Sequence, residues 1–234
     1  MKKISIFFAV FLLPLLSMAH GYWIEVKSNN KMGQSVQIQL FFGEFASQMT
    51  EKGKTLDKMD DIKVCVIDEK GNKTDVLMKQ TETHWEGDFT PSSNGVYQVL
   101  GINDTRGVQD WKKHNLGITR PIQYIRTTFI VGDEKNVQSQ FQPLDVVAQK
   151  NGEAYLLTAV KANIPFQKTK LSIINPEGWT NVKYTNQNGE ASFKPNMKGI
   201  YMVELEWIDK TEGVYKEVKY ESIRHKCNMT VAIN

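Results

Sequence analysis

The chain has 234 residues, of which 41% are hydrophobic, and a formal net charge of +3. This apolar share is ordinary for a globular protein, so a core can form without disulfide staples. A charge this close to neutral, with both signs interspersed, gives no electrostatic basis for binding nucleic acid or an anionic membrane.

The first nineteen residues have the order of a secretory signal peptide. Two lysines precede the apolar run 4–16, and Ser17 and Ala19 place small residues at a cleavage site. The run is shorter than the ~20 residues that a membrane-spanning helix needs, and no later segment approaches that length. The sequence predicts a signal peptide over 1–19, a periplasmic or secreted location, and a mature chain without a transmembrane segment that begins at His20.

Alternation of apolar and polar residues, rich in β-branched and aromatic types, recurs along the mature chain. No long stretch shows the i, i+3, i+4 apolar stripe of a helix. Short strands separated by Asn, Gly, Pro and Ser turns predict an all-β fold built as a β-sandwich. The predicted strands are 22–26, 35–42, 63–68, 84–89, 95–103, 122–131, 153–161, 169–174, 191–193, 199–207 and 216–231.

Two modules are predicted, 20–140 and 141–234, because the segment 141–147 separates two series of strands of the same style. A weak internal echo supports a repeated fold type. Gly95-Val96-Tyr97 in the first half and Gly199-Ile200-Tyr201 in the second each lead from a turn into a strand. This Gly-x-Tyr signal is found in many immunoglobulin-like modules.

A polar segment over 104–120 interrupts the strands without β alternation. An insertion of this length is more often functional or mobile than part of a core. We therefore interpret it as a candidate lid or docking surface.

Two cysteines remain in the mature chain, Cys65 and Cys227, each inside a predicted strand. Export places them where a disulfide can form, but a bridge needs Cα atoms within roughly 7 Å. Two separate buried thiols are the favoured interpretation, with a disulfide as the alternative.

The usual signatures of catalysis are missing from the sequence. It contains no G-x-S-x-G, no phosphate-binding P-loop, no G-x-G-x-x-G after a strand and no H-E-x-x-H. We therefore predict that the protein is not an enzyme.

The sharpest chemical feature is His20 at the predicted new N-terminus. Cleavage exposes an α-amine, whose pKa is about 7.7 to 8.0, beside an imidazole on the same residue. The amine and Nδ1 can chelate one metal ion, and a second imidazole completes a three-nitrogen histidine brace. Such nitrogen sets suit Cu, and related sets suit Ni, Co or Zn; the alternative for His20 is an exposed, frayed terminus.

Three further histidines are available to the site. His225 lies in the last predicted strand, on the same face as Cys227, while His84 begins a strand and His114 lies in the polar insertion. Glu44 follows a glycine at a strand end and offers an oxygen ligand. The alternatives are surface or structural histidines and a solvated loop acid. The predicted ligands are His20 and His225, with Glu44 or His84 as a third contact.

Five tryptophans raise a different possibility, a platform on which sugars stack. Trp23 and Trp207 fall in alternating strands and are predicted to be core residues, whereas Trp111 and Trp179 lie in loops or turns and are candidates for exposure. Carbohydrate binding stays open as a general possibility for a sandwich.

Several short motifs together resemble the DUF4198 family of bacterial periplasms, described as NikM-like or as components of cobalt and nickel transport. The motifs are Ala19-His20-Gly21-Tyr22-Trp23-Ile24-Glu25, Phe41-Phe42-Gly43-Glu44-Phe45, Pro176-Glu177-Gly178-Trp179, Asn188-Gly189-Glu190-Ala191-Ser192-Phe193, Gly199-Ile200-Tyr201 and Ile223-Arg224-His225. The resemblance implies tandem immunoglobulin-like β-modules that bind or deliver a transition metal through His20 and His225. Glu44 stands where a second histidine is expected after Gly43.

Three hypotheses follow for the function. The leading one is a periplasmic protein that binds Ni, Co or Cu, as an accessory to cobalt or nickel uptake, with an inner-membrane metal transporter as its partner. The second is a non-metal structural or interaction module of a cell-envelope assembly. The third is a copper-dependent polysaccharide oxidase that uses the same brace.

Overall fold

The computed structural model describes residues 20–132 and 142–234, which contain twenty β-strands and two 3-10 helices, Gly53–Met59 and Lys112–His114. The predicted signal peptide, 1–19, and the predicted module boundary at 140/141 lie outside the described residues. No helix in the described ranges is long and apolar enough to cross a membrane.

The strands of the first half are β1 (Gly21–Lys27), β2 (Val36–Glu44), β3 (Met49–Thr50), β4 (Lys63–Ile67), β5 (Lys73–Val76), β6 (Lys79–Gln80), β7 (Trp85–Phe89), β8 (Gly95–Asn103), β9 (Gln109–Asp110) and β10 (Ile118–Val131). Those of the second half are β11 (Leu144–Asn151), β12 (Ala154–Lys161), β13 (Ile164–Pro165), β14 (Lys170–Ile174), β15 (Thr180–Tyr184), β16 (Glu190–Phe193), β17 (Gly199–Asp209), β18 (Gly213–Tyr215), β19 (Val218–Tyr220) and β20 (Ser222–Ile233).

These strands form three main sheets and a hairpin. Sheet A has the order β1-β2-β7-β6, with β3 paired to β2. Sheet B has nine strands, in the order β15-β14-β17-β20-β10-β8-β4-β5, with β9 paired to β10. Sheet C has the order β11-β12-β13, with β16 paired to β12, and the hairpin joins β18 to β19. The prediction of an all-β sandwich is confirmed.

Sheet B runs without interruption through both halves of the chain. Its central pair is parallel: Thr119–Arg126 of β10 lies beside Ser222–Met229 of β20. Antiparallel neighbours continue the sheet on each side, β8 beside β10 and β17 beside β20. The two halves therefore share one sheet, a feature that the sequence pattern does not reveal because it depends on pairing between distant strands.

Two cores lie on opposite faces of sheet B. We call the core between sheets A and B the N-terminal core and the core between sheets C and B the C-terminal core. Successive residues of a strand point to opposite faces, so in β10 Ile125 belongs to the N-terminal core and Tyr124 to the C-terminal core. Sheet A covers the first core and sheet C covers the second. A small third cluster packs Trp23 of sheet A against Ile174 and Met202 of sheet B, so the first half also contacts strands of the second.

A buried ion pair joins sheet C to sheet B. Arg126 Nη1 donates to Asp145 Oδ2 at 2.5 Å, and the two side chains are 1% and 0% exposed. The Arg126 guanidinium also donates to the Gln98 side chain. Because a buried charge without its partner is costly, this pair should hold β10 and β11 in a fixed relation.

Each half contains a tyrosine whose hydroxyl bonds back to the turn before its strand. Tyr97 donates to the Ser93 carbonyl at 2.8 Å and accepts from the Ser93 N–H at 3.2 Å. Tyr201 donates to Asn196 Oδ1 at 2.8 Å and accepts from the Asn196 N–H at 3.1 Å. Both arrangements resemble the tyrosine corner of immunoglobulin-like domains, and they are the structural counterpart of the Gly-x-Tyr echo.

Eight observed strands were not predicted: β3, β5, β6, β9, β13 and β18, which have two to four residues, and the longer strands β11 and β15. β11 opens on a continuous buried run and β15 is exposed along most of its length, so neither alternates clearly. The predicted strand over 216–231 contains the turn of the β18–β19 hairpin, where Lys216 and Glu217 have φ of 48° and 64°. Positive φ at both turn residues is the geometry of a type I′ hairpin, which Lys and Glu do not signal.

Both cysteines are free, as predicted, but only one of the two predicted buried thiols is fully buried. Cys227 is buried in the C-terminal core and Cys65 is half-buried in β4. Burial raises the pKa of both thiols, and that of Cys227 lies well above its ordinary value. Each side chain is therefore packed as a neutral thiol.

Candidate functional site

His20, the predicted first mature residue, lies at the rim of sheet A beside a carboxylate. β1 pairs with β2 so that Gly21 lies opposite Gly43, and β3 pairs with the end of β2. The Glu51 N–H then donates to the Phe42 carbonyl at 2.8 Å. These pairings bring His20 Nε2 to 2.7 Å from Glu51 Oε1, although the residues are 31 positions apart.

The charges around this pair are mixed. The Lys58 ammonium lies 4.0 Å from the centroid of the Phe42 ring, which lies 5.4 Å from the His20 ring. Partial burial lowers the pKa of Lys58, while the nearby Glu51 carboxylate raises it. The His20 side chain is 46% exposed, so the pair is open to solvent. The Glu51 carboxylate supplies negative charge near the Lys58 ammonium.

Glu51 determines which ring nitrogen of His20 carries the proton. In the neutral imidazole, a hydrogen bond to an ionised carboxylate, which only accepts, places the proton on Nε2 and leaves the lone pair on Nδ1. In metalloproteins, a carboxylate behind a ligating histidine orients the ring and raises its basicity. Nδ1 is the ring nitrogen closer to the residue's own backbone, which makes His20 suited to chelation through its α-amine and Nδ1.

His225 is 7% exposed and lies between two aromatic rings in the C-terminal core. The centroids of Trp207 and Tyr124 lie 4.7 and 5.8 Å from its ring, and both rings are stacked on it. His225 Nδ1 lies 3.0 Å from the Tyr124 hydroxyl. Burial lowers the pKa of His225, although Asp209 opposes this shift. The neutral imidazole therefore packs as part of the core.

The structure does not bring His20 and His225 together. Asn228 Nδ2 donates to the Tyr22 carbonyl at 2.9 Å, so the face of β20 that carries Asn228 lies against β1. His225 is three positions away and points to the other face, which it shares with Cys227, as predicted. The brace that the sequence predicts from His20 and His225 is not assembled in the described fold.

His84 lies directly before β7 of sheet A and has contacts at both ring nitrogens. Its Nε2 is 2.8 Å from Gln39 Nε2 and 3.3 Å from Glu86 Oε2, and its Nδ1 is 2.9 Å from Thr83 Oγ1. The ring also packs 5.1 Å from that of Phe41. His84 therefore belongs to a polar network of its own strands, apart from the His20–Glu51 pair.

Glu44 ends β2 opposite Met49, and its Oε2 is buried with no hydrogen-bond partner among the described residues. His114 is exposed and lies in the second 3-10 helix. Across 20–132 and 142–234, no group of three or more His, Cys, Asp or Glu is arranged to hold a metal ion. The four predicted ligands His20, His225, Glu44 and His84 thus do not form one cluster in these ranges.

Glu51 was missed by the sequence reasoning. It stands in Met49-Thr50-Glu51-Lys52, where no motif singles it out. Its position beside His20 depends on the two-residue strand β3, which is too short to show a pattern. The only sequence signal was indirect, since a carboxylate shortly after the strand that pairs with the N-terminal strand is within reach of that terminus.

Among known proteins, this chain has distant structural relatives and no curated relative that matches. Among solved structures, the chain is similar to the BSP domain of a biofilm associated protein (9% identity, TM-score 0.24, 92% of this chain and 30% of that chain). It is also similar to native alpha-2-macroglobulin from Escherichia coli, domains NIE-MG1 (8%, 0.24, 80% and 93%), and to fibronectin(III)-like modules of Clostridium thermocellum CbhA (10%, 0.20, 88% and 93%). The chain spans 30% of the first of these proteins, and similarities this low carry no functional argument.

The family comparison covers most of the chain. The profile of a domain of unknown function, DUF4198, matches residues 17–209. This range includes His20, Glu51 and both tyrosine corners, and it ends before His225. The motifs noted in the sequence are thus supported at the level of the family, and this chain belongs to the DUF4198 family.

Proposed function

We propose that this protein is exported, is cut before His20, and binds one divalent transition-metal ion at its new N-terminus. The α-amine and Nδ1 of His20 are the two nitrogen ligands, and Glu51 holds the imidazole from behind. The observation that carries the proposal is the 2.7 Å contact between His20 Nε2 and Glu51 Oε1. This contact supports a His20 imidazole whose lone pair is on Nδ1, the ring nitrogen nearest the α-amine that cleavage would expose.

The residues at the rim fit a two-nitrogen chelate and do not fit a three-nitrogen brace. Affinities of nitrogen sites follow the order Co, Ni, Cu, with Cu highest, so Cu²⁺ should bind most tightly and Ni²⁺ next. Two protein ligands leave the other coordination positions to water or to a partner. An exposed site with open positions suits transfer of an ion better than permanent storage.

The role is therefore one of binding and delivery, and no catalytic step is assigned to it. An inner-membrane metal transporter is the partner that such a role needs, and the resemblance to cobalt and nickel transport components supports this choice. Lys58 lies near the site and disfavours a bound cation, while Glu51 offsets its charge. Affinity should accordingly be moderate, as exchange with a partner requires.

Native mass spectrometry of protein exported and processed through its own leader tests the proposal. We expect a mature mass beginning at His20 and one Cu²⁺ or Ni²⁺ per chain, each lost in His20→Ala. His225→Phe is the matched control, because it removes the buried histidine and should retain the ion. A terminus at another residue, or equal metal loading of His20→Ala, would overturn the proposal.

A further inference from the structure

The loop before β15 carries an exposed tryptophan, Trp179, on a backbone that is fixed by hydrogen bonds. Asn175 Oδ1 accepts the N–H groups of Glu177 and Trp179 at 3.0 and 2.9 Å, and the Asn175 N–H donates to the Trp179 carbonyl at 3.0 Å. Gly178, with φ of +86°, packs so closely that a Cβ would lie 1.9 Å from the Ala46 carbonyl oxygen. The backbone is fixed, yet the Trp179 side chain is 74% exposed.

A groove of about 300 Å³ lies beside Trp179, between the edges of sheets B and C. This volume is at the lower end for small-molecule sites. Its floor is apolar and buried, formed by Ile173, Phe193 and the ring of Tyr201. The groove therefore combines an exposed aromatic ring on its rim with an apolar floor.

The polar groups around the groove are mainly uncharged amides. The Asn181 carboxamide makes no hydrogen bond among the described residues, and Asn196 uses its Oδ1 for the Tyr201 hydroxyl while its Nδ2 stays available. Lys194 is paired with Glu153 at 2.5 Å. Carboxamides both donate and accept hydrogen bonds, so this rim is suited to hydroxyl groups.

We infer that the groove binds a neutral glycan, with one sugar ring stacked on Trp179 and its hydroxyls bonded by Asn181 and Asn196. The amide rim disfavours a purely apolar ligand, which would leave these groups unpaired. The cationic side chain of the lining, Lys194, is paired with Glu153, which weakens its attraction for an acidic ligand. A partner strand added to the free edge of β15 is a different occupant, and it would use backbone hydrogen bonds rather than the groove.

Binding of cellohexaose, maltohexaose, laminarihexaose and chitohexaose to the full mature chain tests the inference, by calorimetry and by tryptophan fluorescence. We expect at least one to bind, and Trp179→Ala to weaken its affinity by about tenfold or more. Asn181→Ala should weaken it by about threefold or more, in keeping with one lost hydrogen bond. Neither residue is buried, so both variants should fold, and circular dichroism checks this.

Tyr184→Ala is the matched control, because Tyr184 is 67% exposed on β15 but does not line the groove. Its affinity should stay within about twofold of the unaltered protein. Absence of binding to all four glycans, or unchanged binding by Trp179→Ala, would overturn the inference. So would binding that survives Trp179→Ala but is lost in Val182→Pro, since that result indicates pairing along the strand edge. Repeating the titration with EDTA separates glycan binding from metal binding at His20.

Discussion

The two halves of the molecule are built alike but use their histidines in opposite ways. Each half stacks a smaller sheet on the shared sheet B, and each has a tyrosine bonded to its preceding turn. In the first half, His20 is 46% exposed and contacts a carboxylate, whereas in the second His225 is 7% exposed and contacts two aromatic rings. The difference shows that the surroundings determine whether a histidine stays open to solvent beside a carboxylate or fills a core.

The buried ion pair of Arg126 and Asp145 joins sheet C to sheet B, and breaking it should lower the stability of the fold most. Asp145→Ala leaves the Arg126 charge buried without its carboxylate and should lower the free energy of unfolding by about 3–5 kcal/mol. Urea denaturation measures this change. Lys194→Ala removes an exposed ion pair and should change the free energy by about 0–1 kcal/mol. Equal effects of the two variants would show that the buried pair does not hold the sheets together.

The tyrosines test whether the halves are equivalent. Tyr97→Phe leaves the Ser93 N–H without this acceptor, and Tyr201→Phe leaves the N–H groups of Asn196 and Met197 without theirs. Each change should cost about 1–3 kcal/mol. Thermal unfolding of both variants gives the comparison. If only one of the two variants loses stability, the Gly-x-Tyr motif stabilises one half of the molecule and not the other.

Stability should depend on pH through His225. Burial lowers its pKa in the folded protein, so as pH falls below about 6.5 the unfolded chain takes up a proton that the folded chain does not. Stability is then lost as pH falls towards the lowered pKa, with a slope of at most about 1.4 kcal/mol per pH unit.

His225→Phe keeps an aromatic ring between Trp207 and Tyr124 and removes the titrating group. Urea denaturation between pH 7.5 and 5, at steps of about half a unit, should show a flatter acid limb in this variant. Asn181→Ala removes no titrating group, so it is the control and should keep the slope. An unchanged slope in His225→Phe would assign the pH dependence to other groups.

The smallest effect on stability is expected at the N-terminal rim. Glu51→Gln removes an exposed contact, so the free energy of unfolding should change by less than about 1 kcal/mol. The same change should weaken metal binding by about 10-fold to 100-fold, because the ring loses the carboxylate that orients it. Glu86→Gln removes the acidic partner of His84 and should leave metal affinity unchanged. Isothermal titration with Cu²⁺ measures both variants.

Local patterns were enough to predict most strands and the repeated Gly-x-Tyr turns. They also placed His225 and Cys227 on one face of the last strand, which the structure confirms. Alternation shows that two residues share a face, but it does not show which sheet covers that face. For this reason the sequence suggested His225 as a ligand, whereas the fold packs it between Tyr124 and Trp207 of sheet B.

Long-range pairing accounts for most of what the sequence did not reveal. The parallel contact between β10 and β20 joins segments about a hundred positions apart, and no local signal encodes it. Glu51 and Asp145 are also ordinary carboxylates in the sequence, and the fold brings each of them to its partner, His20 or Arg126. The exposed Trp179 was recognisable because it follows Pro176 and Gly178, which predict a turn.

The proposed metal site depends on the free amine of His20, which acts as a ligand together with the imidazole. Competitive titration of Cu²⁺ tests it with the mature chain beginning at His20 and with a chain that carries pyroglutamate before His20. The second chain keeps the imidazole and Glu51 but has no free α-amine. Blocking the amine should weaken Cu²⁺ binding by about a hundredfold or more, or ~2.7 kcal/mol. Equal affinity of the two chains would contradict it.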